Sequence, residues 1–307
     1  MAEKRIFKVR SSDGIHELCG VVYLPDGEAK GLFHVVHGMT EHMDRYDRFL
    51  SDISDAGYIA FGYNHLGHKG TSDDSELGYI AKKDGWELLA RDVKVFSDAV
   101  RAEFGTPEMP YYLMGHSMGS FVVRVAAECF VKPTKLIVMG TGGPNPAAGA
   151  GLALIGITKL FRGDKHISSL IENVAFGSYN KRFGGDDASD PKKWLTNDES
   201  IRKIYYADKY CMFKFTVSAM GDLIKLIKCC NSNSWFKNID EKLPILLVSG
   251  ADDPVGDYGK GVLKVEENLK KNGKDVTCKL YEGARHEILN DFTYDKVKED
   301  IIGFCEC

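Results

Sequence analysis

The stretch MGHSMGS, Met114 to Ser120, sets Ser117 between Gly115 and Gly119 at the spacing G-x-S-x-G, after the short apolar run YYLM and before FVVRVAAECF, which has helical period. A serine at such a strand-to-helix junction has the makings of a nucleophile, because the flanking glycines let the backbone turn sharply and lift the hydroxyl into the open. Glycine beside serine is also plain turn chemistry, so the motif carries weight only with partners. A serine hydroxyl is a poor nucleophile at neutral pH; it needs a base, and the base needs a group that fixes its tautomer.

The partners are expected downstream in the order serine, acid, histidine. VSGADDPVGD follows the apolar run PILL, and YEGARHEILND follows VTCKL, so an acid and His286 both fall where strands end. Asp252 and Asp253 are adjacent, and spacing leaves open which one faces the histidine; either also suits a turn before Pro254. Of the nine histidines, His34 lies inside a strand, and His16 and His166 fall in polar segments with no partner in view. His286 stands apart because it follows a strand, Gly283 and the Asp pair.

Acyl transfer also requires N–H donors for the oxyanion. The amide of Met118, the residue after Ser117, supplies one, and the loop HGMTEH after LFHVV supplies the second from Met39, with Gly38 allowing close approach.

Positioning these groups calls for a particular frame. Short β-rich runs (GLFHVVHG, YIAFGYN, YYLMG, KLIVMG, LPILLVSG, VTCKLYEG) alternate with segments of helical period, including Tyr46 to Ala56, Trp86 to Phe104, Ser117 to Val131 and Lys260 to Lys271, with a closing helix from Tyr294. This alternation predicts an α/β fold with a mostly parallel sheet covered by helices on both faces. Arg5 to Arg10 and Glu17 to Leu24, joined by SSDG, read as an antiparallel hairpin at the sheet edge. Residues 141–240 interrupt the alternation for longer than any ordinary loop. We read them as an inserted helical cap, with helices near His166 to Val174, Asp198 to Tyr206 and Thr216 to Lys228, on a core of residues 1–140 and 241–307. The apolar stripe Leu154, Ile157, Phe161 follows helical spacing and is expected to face the domain's own core.

The chain has 307 residues, with 40 Lys and Arg against 44 Asp and Glu and no long basic run, which argues against a nucleic-acid partner. No signal-like start and no apolar run of spanning length is seen, and the eight cysteines are scattered, so a cytoplasmic location with reduced thiols is expected. Cys229 with Cys230 and Cys305 with Cys307 lack the paired spacings of a structural zinc site, so no metal is expected.

The motifs HGMTEHMDRY, NHLGHKGTS, GHSMGS, SGADDPVGD and GARHEILND, in this order across nearly the whole chain, resemble the α/β-hydrolases grouped as serine aminopeptidase S33 or lysophospholipase-like, which include monoacylglycerol lipases. The resemblance implies the α/β-hydrolase fold, a triad of Ser117, Asp253 and His286, an oxyanion hole from the amides of Met39 and Met118, and no cofactor. It selects Asp253 over Asp252 as the fourth residue of the G-x-x-D strand end. Asn64 stands where the family commonly has Asp, and Lys69 where it has glycine, which bears on the local geometry of that loop; His65 and His68 are then loop-structuring.

The implied reaction is hydrolysis of a small ester or lipid through an acyl-enzyme. Two alternatives remain: an aminopeptidase, which would need carboxylates such as Glu172, Asp186, Asp187, Asp190, Asp198 or Glu199 to converge on an α-ammonium group, and a ligand-binding module without turnover. Specificity is expected in the pocket under the cap, with Trp194, Tyr205, Tyr206, Phe213 and Phe215 as candidate lining. The run GLALIGITKLF also admits transient contact with a membrane surface.

Overall fold

The computed structural model describes residues 3–184 and 190–307. An N-terminal hairpin, β1 (Glu3–Arg10) and β2 (Glu17–Leu24), pairs antiparallel with Glu3 opposite Leu24 and Arg10 opposite Glu17. There follow β3 (Leu32–Val36), α1 (Asp47–Asp55), β4 (Ile59–Tyr63), α2 (Gly85–Phe104), β5 (Tyr111–His116), α3 (Met118–Cys129) and β6 (Lys135–Met139). After a long insertion the chain returns as β7 (Ile245–Gly250), α9 (Lys260–Lys271), β8 (Val276–Tyr281) and α10 (Tyr294–Glu306). The insertion holds α4 (Ala148–Arg162), α5 (Ser169–Phe176), α6 (Glu199–Ala207), α7 (Val217–Cys230) and α8 (Asn233–Asn238).

The eight strands form one sheet in the order β1-β2-β4-β3-β5-β6-β7-β8, parallel from β4 onward. This is the α/β-hydrolase fold, with the hairpin at the edge as the sequence predicts. The inner strands read as unbroken apolar runs because both faces are covered. Alternation still sorts their side chains: Leu32, Val36 and Leu113 join α2, α3 and α9 on one face, while Phe33, Val35 and Met114 join α1 and α10 on the other. Each such large side chain withdrawn from water contributes about 2–3 kcal/mol.

The inserted helices begin where the side chains can cap them. Ser168, Asp198, Thr216 and Ser232 each accept a backbone N–H in the first turn of α5, α6, α7 and α8. Helix α7 packs on α2, α3 and α4, and Leu226, Trp235 and Phe236 complete the core over α3. Buried Arg124 of α3 ties this return down: its guanidinium donates to the Cys230 carbonyl and, at 3.1 Å, to Asn231 Oδ1, and lies 4.5 Å over the Trp235 ring.

One expectation fails in α4. Ala148 and Ile155 are the residues it buries and Leu154 packs partly against the core, whereas Ile157 is 57% and Phe161 78% exposed, so two of the stripe's three residues face outward. Periodicity locates an apolar face without saying what lies opposite it. Among the described residues, no helix is long and apolar enough to cross a membrane.

Candidate active site

Ser117 occupies the turn between β5 and α3 with φ 54° and ψ −118°, a left-handed conformation that a non-glycine residue adopts only under strain. Its neighbours show what enforces the turn. A Cβ at Gly119 would fall 2.1 Å from the Val36 carbonyl oxygen, and one at Gly115 would fall 2.2 Å from that of Gly119, so only glycine lets α3 come this close to β3 and β5. The Ser117 N–H donates to Met139 O at 2.9 Å, and its carbonyl accepts from the Ser120 hydroxyl at 2.6 Å. Met118 opens α3, so its N–H belongs to the first turn, whose donors lack partners within the helix.

The loop after β3 reaches the same point. A Cβ on Gly38 would stand 3.0 Å from Ser117 Cβ, and Met39, next in the chain, lines the same cavity as Ser117 and Met118. A lattice of buried histidines holds this loop. His37 Nδ1 donates to Gly38 O at 2.8 Å and its Nε2 accepts from His65 N at 3.0 Å, while His68 Nε2 accepts from Thr40 N at 3.3 Å and its Nδ1 donates to Leu66 O at 3.0 Å. Burial pushes His37 well below its ordinary pKa, His65 to about 3 and His68 to about 4, so all three are neutral hydrogen-bonding struts. His65 and His68 thus structure the loop region. Asn64 Oδ1 accepts from Met43 N at 2.8 Å, and Lys69 pairs with Asp44 at 2.6 Å.

Asp253 and His286 come together from the ends of β7 and β8. Both are sealed from solvent, and His286 Nδ1 donates to Asp253 Oδ2 at 2.8 Å. Val255 N donates to Asp253 Oδ1 at 2.8 Å and Ser249 Oγ to Oδ2 at 3.3 Å, which fixes the carboxylate. With Nδ1 spent on Asp253, the imidazole keeps Nε2 for the cavity. Asp252, only partly buried, donates its backbone N–H to Ala284 O at 3.0 Å and takes no part in that pair. Residues of the segment between β6 and β7 abut the imidazole: the Trp194 ring lies 5.1 Å from it, and Glu287 N donates to Leu195 O at 2.7 Å.

A buried ionic network under the site escaped the sequence reading. Glu41 Oε1 accepts from Gly38 N, from the Tyr46 hydroxyl at 2.9 Å and from His116 Nδ1 at 3.0 Å. Its Oε2 meets Arg45 at 3.1 Å, and Arg45 makes a two-pronged contact with Glu287, both arms 2.7 Å. Burial alone would raise Glu41, but the charges of His116 and Arg45 outweigh it and hold the carboxyl far below its usual range. Burial likewise opposes a charged His116, and Glu41 outweighs it, raising the imidazole. Glu41, Arg45 and Tyr46 all sit in HGMTEHMDRY, yet nothing in that string announces Glu287, which lies 242 residues beyond Arg45.

These elements surround a cavity of about 710 Å³ between the ends of the sheet strands and the segment that joins β6 to β7. Trp194, Tyr205, Phe213 and Phe215 line it; Tyr206 does not, its hydroxyl being bound to Asp190 at 2.6 Å. Glu172 lines the cavity but is paired with Lys214 at 2.7 Å, Asp190 with Arg202 at 2.9 Å and Glu199 with Lys203 at 2.7 Å, while Asp198 caps α6. Asp186 and Asp187 lie outside the described residues. His16, expected to lack partners, stands between Asp13 at 2.5 Å and Glu76 at 3.2 Å.

The eight cysteines are free. Among the described residues, His42, Asp208 and Cys211 bring ligand atoms within 4.8 Å of one another. His42 Nε2 is already bonded to Asp208 at 2.8 Å, and burial pushes the Cys211 thiol up to about 12, away from the thiolate that binds metal.

Residues 27–293 match the family model described as serine aminopeptidase, S33. The chain is 26% identical to the monoglyceride lipase of Mus musculus over 283 residues, covering 90% of this chain and 81% of the relative. It is 22% identical to the monoacylglycerol lipase of Mycolicibacterium smegmatis, covering 95% and 97%. Among solved structures, a thermostable carboxyl esterase from Bacillus coagulans, in complex with glycerol, superposes with a TM-score of 0.91 at 27% identity over 99% of this chain and 98% of that one. A match over most of the chain, on this fold, makes the protein a member of the serine aminopeptidase S33 family of α/β-hydrolases.

Proposed function

We propose that the protein hydrolyses carboxylic esters, with Ser117 as nucleophile, His286 as general base and acid, Asp253 as its orienting carboxylate and the Met39 and Met118 amides as the oxyanion hole. The observation that carries this reading is the sealed 2.8 Å Asp253–His286 pair opening onto the cavity that also exposes the strained Ser117 turn. Ser117 Oγ attacks the ester carbonyl as His286 Nε2 takes its proton, and the oxyanion forms against the two amides. The tetrahedral intermediate collapses, His286 returns the proton to the departing alcohol, and an acyl-serine remains. Water, deprotonated by His286, releases the acid and regenerates the serine. No cofactor is needed.

Monoacylglycerols, lysophospholipids and smaller esters are the substrate range, in line with the monoglyceride lipases and the glycerol-bound esterase that the chain resembles. An aminopeptidase is less well supported, since the described cap carboxylates are paired or capping. A binding module without turnover would have no use for a complete Ser117, Asp253 and His286 set. Residues 141–240 act as the cap, with α5, α6 and α7 contributing side chains to the cavity wall and α4 packed on α7. Leu160 and Phe161 of α4, 80% and 78% exposed, and the exposed Leu170 and Val174 of α5 are apolar side chains suited to transient membrane contact. The eight free thiols fit a cytoplasmic setting.

The test is hydrolysis of an ester panel from acetyl to palmitoyl, with a monoacylglycerol, a lysophospholipid and an aminoacyl amide, against Ser117→Ala. Ester turnover abolished in the variant is expected; cleavage of the amide alone would replace this reading with the peptidase.

A further inference from the structure

Four basic side chains line the cavity, and three have carboxylate partners: His116 with Glu41 at 3.0 Å, His286 with Asp253 at 2.8 Å and Lys214 with Glu172 at 2.7 Å. Lys192 is the fourth. Its ammonium donates to the Tyr205 hydroxyl at a long 3.5 Å and lies 4.9 Å over the same ring. Among the described residues, no carboxylate lies within ion-pair distance of it. Burial pulls its pKa down, with Glu287 and Glu172 opposing from further off. A phenol and a ring compensate an enclosed ammonium only in part, and an oxyanion would do so fully.

The position of this charge is specific. The Tyr205 hydroxyl is bonded to both Thr40 O and Thr40 Oγ1 at 3.0 Å, and Thr40 follows Met39. Lys192 is therefore linked through one phenol to the loop that carries the expected oxyanion donor. On this side the wall also shows Glu41 and Glu287, whose charges are already met by Arg45 and His116. The lining also carries an apolar set, Phe121, Met220, Leu223, Ile227 and Val255. An acyl chain belongs among those residues, which leaves the alcohol half of an ester beside Lys192.

We propose that Lys192 is a specificity-determining residue that selects esters whose alcohol portion carries an oxyanion, a phosphate or a carboxylate, over the neutral glycerol ester of the same acid. This rests on the ester-hydrolase reading and narrows its substrate class.

The test compares 1-decanoylglycerol, 1-decanoylglycerol 3-phosphate and the decanoyl ester of glyceric acid on wild type, Lys192→Met, Lys192→Arg and Ser117→Ala, with thermal melts to establish folding. Wild type is expected to have the higher kcat/KM on at least one anionic ester, and the two anionic arms tell phosphate from carboxylate. Lys192→Met is expected to shrink the anionic-to-neutral ratio about thirtyfold, chiefly through KM, and Lys192→Arg to retain most of it. A wild type that prefers the neutral ester, or a ratio that Lys192→Met leaves unmoved, overturns the inference while the ester-hydrolase reading stands. Failure of wild type to cleave any of the three overturns both.

Discussion

Asp253 Oδ2 accepts the Nδ1–H of His286 at 2.8 Å, although the two residues lie 33 positions apart and the neighbouring Asp252 carries the same side chain. Two backbone turns make the distinction. Val255 N and Ser249 Oγ hold the Asp253 carboxylate, while the Asp252 backbone is tied to Ala284. Asp253→Asn should keep the fold and lower kcat for ester hydrolysis about 10⁴-fold, the loss that follows when a base is held in the wrong tautomer. Asp252→Asn should stay within about threefold of wild type, the size of an ordinary surface substitution's effect. Equal losses in the two variants, measured by steady-state kinetics, would contradict the assignment.

The elbow has no room for a methyl group. Gly119→Ala would set its Cβ 2.1 Å from the Val36 carbonyl oxygen, and the rigid strand behind that oxygen cannot yield as a flexible side chain would. A stability loss of at least about 3 kcal/mol in urea denaturation is expected. A loss under about 1 kcal/mol would mean that α3 sits further from β3 than described.

The Glu41–His116 pair links stability to pH with a definite sign. Glu41 is held below its ordinary value of 4.5, so its share of stability is complete above that pH and is lost as pH falls through the lowered value. His116 is held above its ordinary 6.5, so its share is complete below that pH and is lost as pH rises through the raised value. Glu41→Gln should therefore cost most, about 3 kcal/mol, between pH 4.5 and 6.5. Chemical denaturation across pH checks this; a cost that grows steadily on the alkaline side would contradict it.

Leu160 and Phe161 are exposed on α4, so replacing them with Asp should leave the melting temperature within a few degrees of wild type. Partition onto anionic vesicles should fall about tenfold per substitution. Turnover of a water-soluble butyrate ester should be spared. Unchanged co-sedimentation with vesicles would remove the membrane-contact reading.

The legible part of this protein is what is local. G-x-S-x-G and the apolar runs of the inner strands each declare an element from their own few residues, and the order of Ser117, the Asp pair and His286 suffices to propose their convergence. The illegible part depends on contacts across the sheet. Choosing between Asp252 and Asp253 needs a turn geometry that spacing does not encode. Glu41, Arg45, His116 and Glu287 form a buried ionic network only because the segments that follow β3 and β8 meet at the end of β5. Ile157 and Phe161 of α4 face outward because helical period reveals a face and not its neighbour, and of the partners of His16, Asp13 is local while Glu76, 60 residues on, is supplied by the fold.

The most direct test of the central claim is to trap the acyl-enzyme. Wild type and His286→Ala are mixed with p-nitrophenyl decanoate, quenched in acid within the first turnover, digested and mapped by mass spectrometry. A decanoyl adduct on the peptide containing Ser117 in wild type, at least about 100-fold depleted when His286 is removed, is predicted. An unmodified Ser117 during active turnover, or an adduct confined to another residue, would contradict the account.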